Sequence, residues 1–593
     1  MPAASVARIA WLALVLAVVP DAAAQPSPTA PAAPAASPSA RLFKPGIRDA
    51  AHPGRWAREF ERRKAVVRGD SGPTAILGLL GLLYELQGEI PADDLMALLE
   101  SARKHRDPLV ASHAGYLRGQ MLEQAGNDPG ADAAYRAEGF LLDWQIVGPF
   151  DNSGRGGHSA VYDPETMPFS AGQTFVGKLP GEPLPWRNFV HARAPRGAFV
   201  NLADLLQPDD DATGYATAWV FADKPTDAAL HLGAAGAYKV WLDGAELGAA
   251  DTYHSPNALQ DAYSLRLQAG WNRVLIKISS DEGLWGFYAR LSAPSGAPLT
   301  GLKVRGEPPE APATSSEASA SKPSKPQPKS TSKPRPVRHL RKLLEDRALA
   351  PRAKPADKLA LAEFYRWVSP FAPEDRTAVD RAREADEAIK TARSAHILAL
   401  LDPDQNTSRT ALLAGIDRAR KEGPASAPLL ATMLADLSLR YQGLGLEDRS
   451  RALQDEAFSI APDDVLIELT LAARHGSDGF TLGALAWIED MLRRYPGSVL
   501  LLREKADRQF SLGRTQEGLA ILQKLAGDSP SDAGLARQIA DALLKLGKAD
   551  AAAEIGRRRA AAVPGLPEAF QEVARLEEAR GDLARARAAL QSA

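Results

Sequence analysis

The 593-residue sequence contains no cysteine. Disulfide frameworks, thiolate zinc sites, a lipid-anchoring cysteine and cysteine nucleophiles are therefore excluded. Charge imbalance is missing too: 71 Lys and Arg against 73 Asp and Glu leave a net charge of -2, which creates no field toward nucleic acid or an anionic membrane. Long apolar runs are scarce. The most apolar, IAWLALVLAVV over 9–19, has about half the length a bilayer-spanning helix needs. Arg8 precedes it and the small residues of PDAAAQ follow it, which is the pattern of a secretory signal peptide cut near Ala24. The mature chain is expected to be periplasmic or secreted, with no transmembrane segment.

Composition divides the remainder. Residues 25–50 form a Pro/Ala-rich tether, and 306–338 form a Pro/Ser/Lys linker; both have too few large apolar side chains to offset the entropy of ordering. Between them, 51–139 has helical spacing punctuated at Gly72-Pro73, Pro91 and Gly126, which predicts packed helical hairpins. From 140 to 305 the texture becomes short aromatic and β-branched runs, and six of the ten tryptophans fall there. Period-two alternation sets Tyr238, Val240 and Leu242 on one strand face and Lys239 and Trp241 on the other, while Trp285, Phe287, Ala289 and Leu291 share a face. Runs at 216–222, 228–232, 237–242, 262–268, 272–279 and 285–292, with turns at Asp243-Gly244 and Ala269-Gly270, predict a β-sandwich. In DWQIVGPFDN, Trp144 and Val147 begin the first strand, Gly148-Pro149 is expected to break it, and Asp151-Asn152 is expected to form an exposed turn.

The last third is helical and repeats. Irregular helical repeats over 339–430 lead into a regular series at 431–593. Gly445, Gly479, Gly513, Gly547 and Gly581 are 34 residues apart, and Pro462, Pro496, Pro530 and Pro564 keep the same period 17 residues later. This double ladder, with Tyr441, Ala457, Ala552 and Ala586, resembles the tetratricopeptide repeat family; Gly518 and Gly556 depart from its usual residues. The resemblance implies an α-solenoid of paired helices that offers a groove to a protein or peptide. Counted in that phase, Ala593 is expected to fall at position 27, inside a second helix and short of the polar cap such stacks need.

The run GAYKVWLDG…LQAGWNRVLIKIS resembles the galactose-binding-like jelly-roll sandwiches of secreted bacterial proteins at Trp241, Asp243, Gly244, Leu267, Gly270, Asn272 and Val274 to Ile278. DWQIVGPFDN resembles the sequence that introduces this sandwich in larger exported proteins with a transglutaminase-like domain. The catalytic cysteine of such a domain has no counterpart here. The expected fold is therefore multidomain α and β: helical hairpins, a β-sandwich, then a tetratricopeptide-repeat solenoid.

Catalytic motifs fail on chemistry. Gly172 to Leu179, GQTFVGKL, approaches a phosphate-binding loop but puts Leu179 where a hydroxyl must meet Mg²⁺. GHSAV at 157–161 lacks the second glycine of a nucleophile elbow. Asp209, Asp210 and Asp211 lack the ordered spacing of a calcium loop and are expected to form an exposed acidic turn. The expectation is a non-enzyme without cofactor or metal: a scaffold for a protein or peptide partner. The alternatives are a module for envelope glycan through the sandwich, or a truncated member of the transglutaminase-like family. Groove positions 2, 5, 9 and 12 of the repeats starting at Val499 and Ala533 select Arg503, Asp507, Phe510, Arg537 and Asp541, with Lys545 one position later. The Arg and Asp in each repeat have the spacing of an intrahelical i,i+4 pair. Trp241, Trp271 and Tyr253 are the candidate sugar platform, unless they pack within the sandwich.

Overall fold

The structure, a computed structural model, describes residues 54–69, 72–179, 181–191, 197–307, 334–528, 532–563 and 566–592. The expected signal peptide, the tether and most of the 306–338 linker lie outside them. The described residues fall into two compact units. One comprises those up to Lys64 together with Tyr84–Pro91 and Val379–Arg514; the other comprises Ala65–Leu83, Ala92–Ala378 and Thr515 onward. The helical block read over 51–139 is thus shared between the two.

In the second unit, alternation becomes two antiparallel sheets. Strands β1 (Asp143–Asp151), β4 (Arg187–Val190), β6 (Ala212–Ala222), β8 (Ala237–Leu242), β9 (Ala245–Ala250), β11 (Gly270–Ser280) and β13 (Lys303–Arg305) form one sheet. Its order is β4-β1-β6-β11-β8-β9, with β13 also paired to β6. Strands β5 (Val200–Asn201), β7 (Thr226–Ala235), β10 (Asp261–Leu267) and β12 (Gly286–Ser292) form the other, in the order β10-β7-β12-β5. Trp144, Val220, Tyr238, Val240 and Ile276 of the first sheet share one core with Leu230, Leu232, Phe287 and Leu291 of the second. The face assignments read from Tyr238, Val240, Leu242, Phe287, Ala289 and Leu291 are those of this core.

Local chemistry explains the turns. Asp243 and Gly244 have φ of 49° and 82°, the left-handed pair that a two-residue hairpin between β8 and β9 requires. Asn272, fully buried, closes the turn before β11: its amide donates to the carbonyls of Gln268, Gly270 and Val220, and its oxygen accepts from the Gln268 N–H. Two sequence expectations are corrected here. Gly148-Pro149 does not end the first strand; β1 continues to Asp151, with its register on β6 shifting between Val147 and Phe150. Asn152 is not exposed. It is buried, donates to Ser280 O at 2.9 Å and accepts from Gly157 N and the Tyr253 hydroxyl, so it ties the following loop to β11 and to the segment after β9.

Part of the outer face of the seven-stranded sheet is also buried. The excursion between β1 and β4, with the hairpin β2 (Thr174–Val176) and β3 (Pro183–Pro185), lays Phe175, Leu184 and Trp186 over Val147, Tyr215, Trp241 and Leu275. Helices Pro108–Gln124 and Asp128–Ala137 belong to the same unit. Tyr116 stacks on Phe140 with centroids 5.1 Å apart, and the Arg290 guanidinium donates to Glu138 O and Gly296 O.

The glycine ladder has one conformational cause. Gly445, Gly479, Gly513, Gly547 and Gly581 have φ of 69°, 92°, 74°, 69° and 87°, each in the left-handed region. At each, the N–H of the next residue closes on a carbonyl five positions back: Leu446 on Tyr441, Phe480 on His475, Arg514 on Gln509, Lys548 on Leu543 and Asp582 on Glu577. This is a helix stop in which a Cβ would be strained, although nothing lies within 4 Å of the position it would occupy. Pro462 and Pro496 follow helix ends, whereas Pro530 and Pro564 lie outside the described residues. A second ladder accompanies it. Asp464, Ser498 and Asp532, also 34 apart, cap the helices Val465–Ser477, Val499–Ser511 and Ala533–Lys545 by accepting from Leu466, Leu501 and Leu535 N–H. The array is a series of helix pairs on a 34-residue period, the arrangement that the tetratricopeptide resemblance implies.

Candidate functional site

Two surfaces of the repeats carry side chains with recognition chemistry. In the second unit, Arg537 and Asp541 lie on the helix Ala533–Lys545, which is followed by Ala549–Ala562 and Pro567–Arg580. They do not bond to each other along the helix. Arg575 of the next first helix donates to Asp541 at 2.9 Å and to Glu572 at 2.6 Å, and Arg537 sits 3.8 Å from Glu572. The expected i,i+4 pair is replaced by a ladder that links first helices of adjacent repeats. The ladder stays accessible: 66% of the Arg537 side chain is exposed, along with 45% of Asp541, 43% of Arg575 and only 8% of Glu572. Glu572 is held below the usual carboxylate range by its hydrogen bond from Arg575, against burial. Lys545 is exposed at the end of the same helix. An exposed cation beside a paired carboxylate can exchange its partner for an incoming acidic group at little cost, because a solvated ion pair contributes roughly 0–1 kcal/mol.

In the first unit, Arg503, Asp507 and Phe510 share the helix Val499–Ser511 and are each half-buried. Burial raises the Asp507 carboxyl above its ordinary range, against the pull of Arg508 and Arg503.

The same unit contains a feature absent from the candidate residues: the segment Gly54–Lys64 docks on the repeats. Arg55 reaches Asp464 and the Thr432 hydroxyl, each at 3.2 Å, and Arg58 lies 3.8 Å from Asp464, whose side chain is 1% exposed. Trp56 meets Tyr495 edge to face at 5.2 Å. Gly54 leaves no room for a side chain, since a Cβ there would fall 1.8 Å from the Tyr495 hydroxyl. A second piece of the N-terminal block follows the same edge. Glu89 accepts from the Ser498 hydroxyl and the Leu500 N–H, and Gly88 O accepts from Val499 N–H. Thr432 stands at position 2 of its repeat, so the chain itself contacts an expected groove position there through Arg55.

Glu59 joins this docking to pH. Burial opposes its ionisation, but the hydrogen bond from Arg62 and the charges of Arg63, Arg62 and Arg393 outweigh it and hold the carboxyl at about 2. Its folded pKa lies below the unfolded value, so its stabilisation is present above about pH 4.5 and disappears as pH falls toward 2. The side chain is partly solvated, so the contribution is on the order of 2 kcal/mol. Glu59→Gln is expected to remove that acid-sensitive portion, measured as a smaller loss of urea stability between pH 5 and pH 2.5 than in the parent.

Each of the sugar-platform residues has its own surroundings. Trp241 faces away from the inter-sheet core, as alternation indicates, but it is 8% exposed beneath Phe175, Leu184 and Trp186. Tyr253 is buried, with its hydroxyl on Asn152 and the Arg155 guanidinium 4.4 Å above its ring. Trp271 is half-buried, edge-on to Phe221, with Arg305 near its face. Neither Trp241 nor Tyr253 offers a ring face to a ligand. The near-phosphate loop is also accounted for: Thr174–Val176 is strand, and the Lys178 ammonium donates to the carbonyls of Asp210 and Asp211. Of the acidic trio, Asp210 is exposed, whereas Asp209 and Asp211 are half-buried.

The most connected titratable cluster is Lys277 with Glu165 under the excursion. The Lys277 side chain is 0% exposed and gives three hydrogen bonds, to Glu165 at 2.7 Å and to the carbonyls of His158 and Ala160. The Tyr215 hydroxyl donates to the same Glu165 oxygen, and the rings of Tyr162 and Tyr215 flank the ammonium at 5.4 and 5.7 Å. Burial lowers the Lys277 pKa, against Glu165. All three donors are satisfied, so the cluster acts as a clamp on the excursion. Among the described residues, no group of three or more His, Asp or Glu is placed to hold a metal, and no helix is long and apolar enough to cross a membrane.

Neither a protein-family model nor a curated protein matches the sequence. Among solved structures, the chain is similar to MamA, at 16% identity and a TM-score of 0.23 over 26% of this chain and 91% of that one. It is similar to a tetratricopeptide repeat protein from Parabacteroides merdae ATCC 43184, at 19% identity and 0.26 over 32% and 72%. It is also similar to PilW, a widely conserved type IV pilus biogenesis factor, at 16% identity and 0.27 over 33% and 90%.

Proposed function

We propose that this protein is an exported, non-catalytic scaffold that binds a protein or peptide partner through its helical repeats. The observation that carries the reading is the exposed ladder Arg537, Glu572, Asp541 and Arg575, which places alternating charges on successive first helices at fixed spacing. Such a surface suits an extended partner whose charges alternate in the complementary order. The sandwich, taken as a galactose-binding-like jelly roll, serves here as a structural module, since Trp241 and Tyr253 are spent on packing. Photo-crosslinking from position 545 in the full chain, against an envelope extract, tests the reading. A discrete adduct in the parent that falls at least tenfold in Arg537→Glu/Arg575→Glu supports it. Adducts unchanged by charge reversal, or retention on insoluble peptidoglycan that ignores these residues, count against it.

A further inference from the structure

The docked segment Gly54–Lys64 records what one stretch of the repeats recognises. Asp464 ends the turn before the helix Val465–Ser477 and caps it through the Leu466 N–H, so its carboxylate lies at the positive end of that helix. Two arginines of the segment converge on it. Arg55 contacts both of its oxygens at 3.2 Å and also the Thr432 hydroxyl, and Arg58, one turn further along, approaches to 3.8 Å. Asp436, on the helix Ala427–Gln442, adds a second carboxylate that interacts with Arg55 electrostatically and accepts from His396 Nε2 at 2.8 Å. Tyr495 closes the cleft against Trp56, and the absence of a side chain at Gly54 lets the backbone pass the Tyr495 hydroxyl. The cleft therefore reads a small residue, an arginine, an aromatic residue and a second arginine one helical turn after the first, on the N-terminal turn of a helix.

We propose that the cleft formed by Asp436, Asp464, Thr432 and Tyr495 is a recognition site for helical peptides of this Gly-Arg-aromatic-x-Arg chemistry, and that Gly54–Arg58 occupies it in cis as an intramolecular competitor. Two properties of the contact fit a plug. The arginine side chains remain 28% and 34% exposed, so water and salt reach the ion pairs from one side. The carboxylate they meet is 1% exposed with the segment docked, so taking both arginines away without a replacement cation removes the partners of a buried charge. The local concentration of a tethered segment is of millimolar order, which sets the threshold an external peptide must exceed. This inference rests on the scaffold reading and names one of its sites.

The test uses the full chain and a fluorescein-labelled synthetic peptide of sequence GRWAREFERRK, read by anisotropy. Arg55→Ala/Arg58→Ala is expected to bind the peptide at least tenfold more tightly than the parent. Adding Asp464→Asn to that variant is expected to abolish the gain, and a peptide with both cleft arginines changed to glutamate is expected not to bind. Trp56→Ala supplies a second way to undock the segment, and circular dichroism shows that each variant keeps its helical signal. Equal affinity in parent and undocked variants, binding unaffected by Asp464→Asn, or no binding in folded undocked variants overturns the proposal. Crosslinking from position 545 in the same proteins separates the two readings. If it survives while peptide binding fails, the cleft assignment alone is wrong; if both fail, the scaffold reading falls too.

Discussion

Replacing Lys277 with methionine is expected to destabilise the sandwich by about 3–5 kcal/mol, the range for removing one partner of a buried ion pair. Lys277 lies in the middle of β11 on the face that alternation directs away from the inter-sheet core. Its ammonium is the donor for Glu165 and for the carbonyls of His158 and Ala160, all on the excursion that covers the sheet. Methionine fills most of the volume but leaves Glu165 with the Tyr215 hydroxyl as its remaining side-chain donor and takes the ammonium away from two part-buried carbonyls. The control is the paired change Lys277→Met/Glu165→Leu, which removes both charges and should recover more than half of the loss. Urea denaturation followed by tryptophan fluorescence reads both. A double variant no better than the single would mean that the backbone carbonyls, not the charge, dominate the cost.

Trp144→Ala is expected to cost about 3–5 kcal/mol through the lost transfer energy and the cavity left behind. Trp144 is fully buried where β1 enters the core, its indole N–H donates to Leu141 O at 2.9 Å, and its ring stands edge-on to Phe287 of the opposite sheet at 5.0 Å. It joins the two layers directly. Trp144→Phe keeps an aromatic against Phe287 but strands the Leu141 carbonyl, so an intermediate loss is expected. Thermal unfolding of both variants checks the order. Trp241→Ala is also expected to destabilise, because Trp241 is packed under the excursion. Loss of glycan retention in that variant would therefore not identify a sugar contact unless the fold were shown to persist.

What was legible in the sequence follows from local rules. Positive φ tolerates few residues other than glycine, so the five glycines at one period announced five helix stops before any contact was known. Alternation assigned Tyr238, Val240 and Leu242 to one face correctly because the pleat has a period of two wherever the strand lies. The turn residues Asp243, Gly244 and Asn272 acted within a few positions of themselves, and so were readable too. The fate of Trp241 was not readable: its cover, Phe175, Leu184 and Trp186, is 55 to 66 residues earlier in the chain, and alternation cannot say whether an outward face meets water or protein. The charges on the repeats were hidden for the same reason, since Arg537 and Asp541 have helical i,i+4 spacing yet find partners 34 or 35 residues away.

Sequence by itself determined the repeat period, the strand alternation and the lack of thiol chemistry, because the dihedrals of a glycine, the pleat of a strand and the missing cysteine are properties of a residue and its near neighbours. Tertiary structure alone decided which surfaces remain open. Gly54–Arg58 meets Asp464 and Tyr495 across some 400 residues, Lys277 meets Glu165 across 112, and in each case a buried charge accepted the partner that folding brought to it.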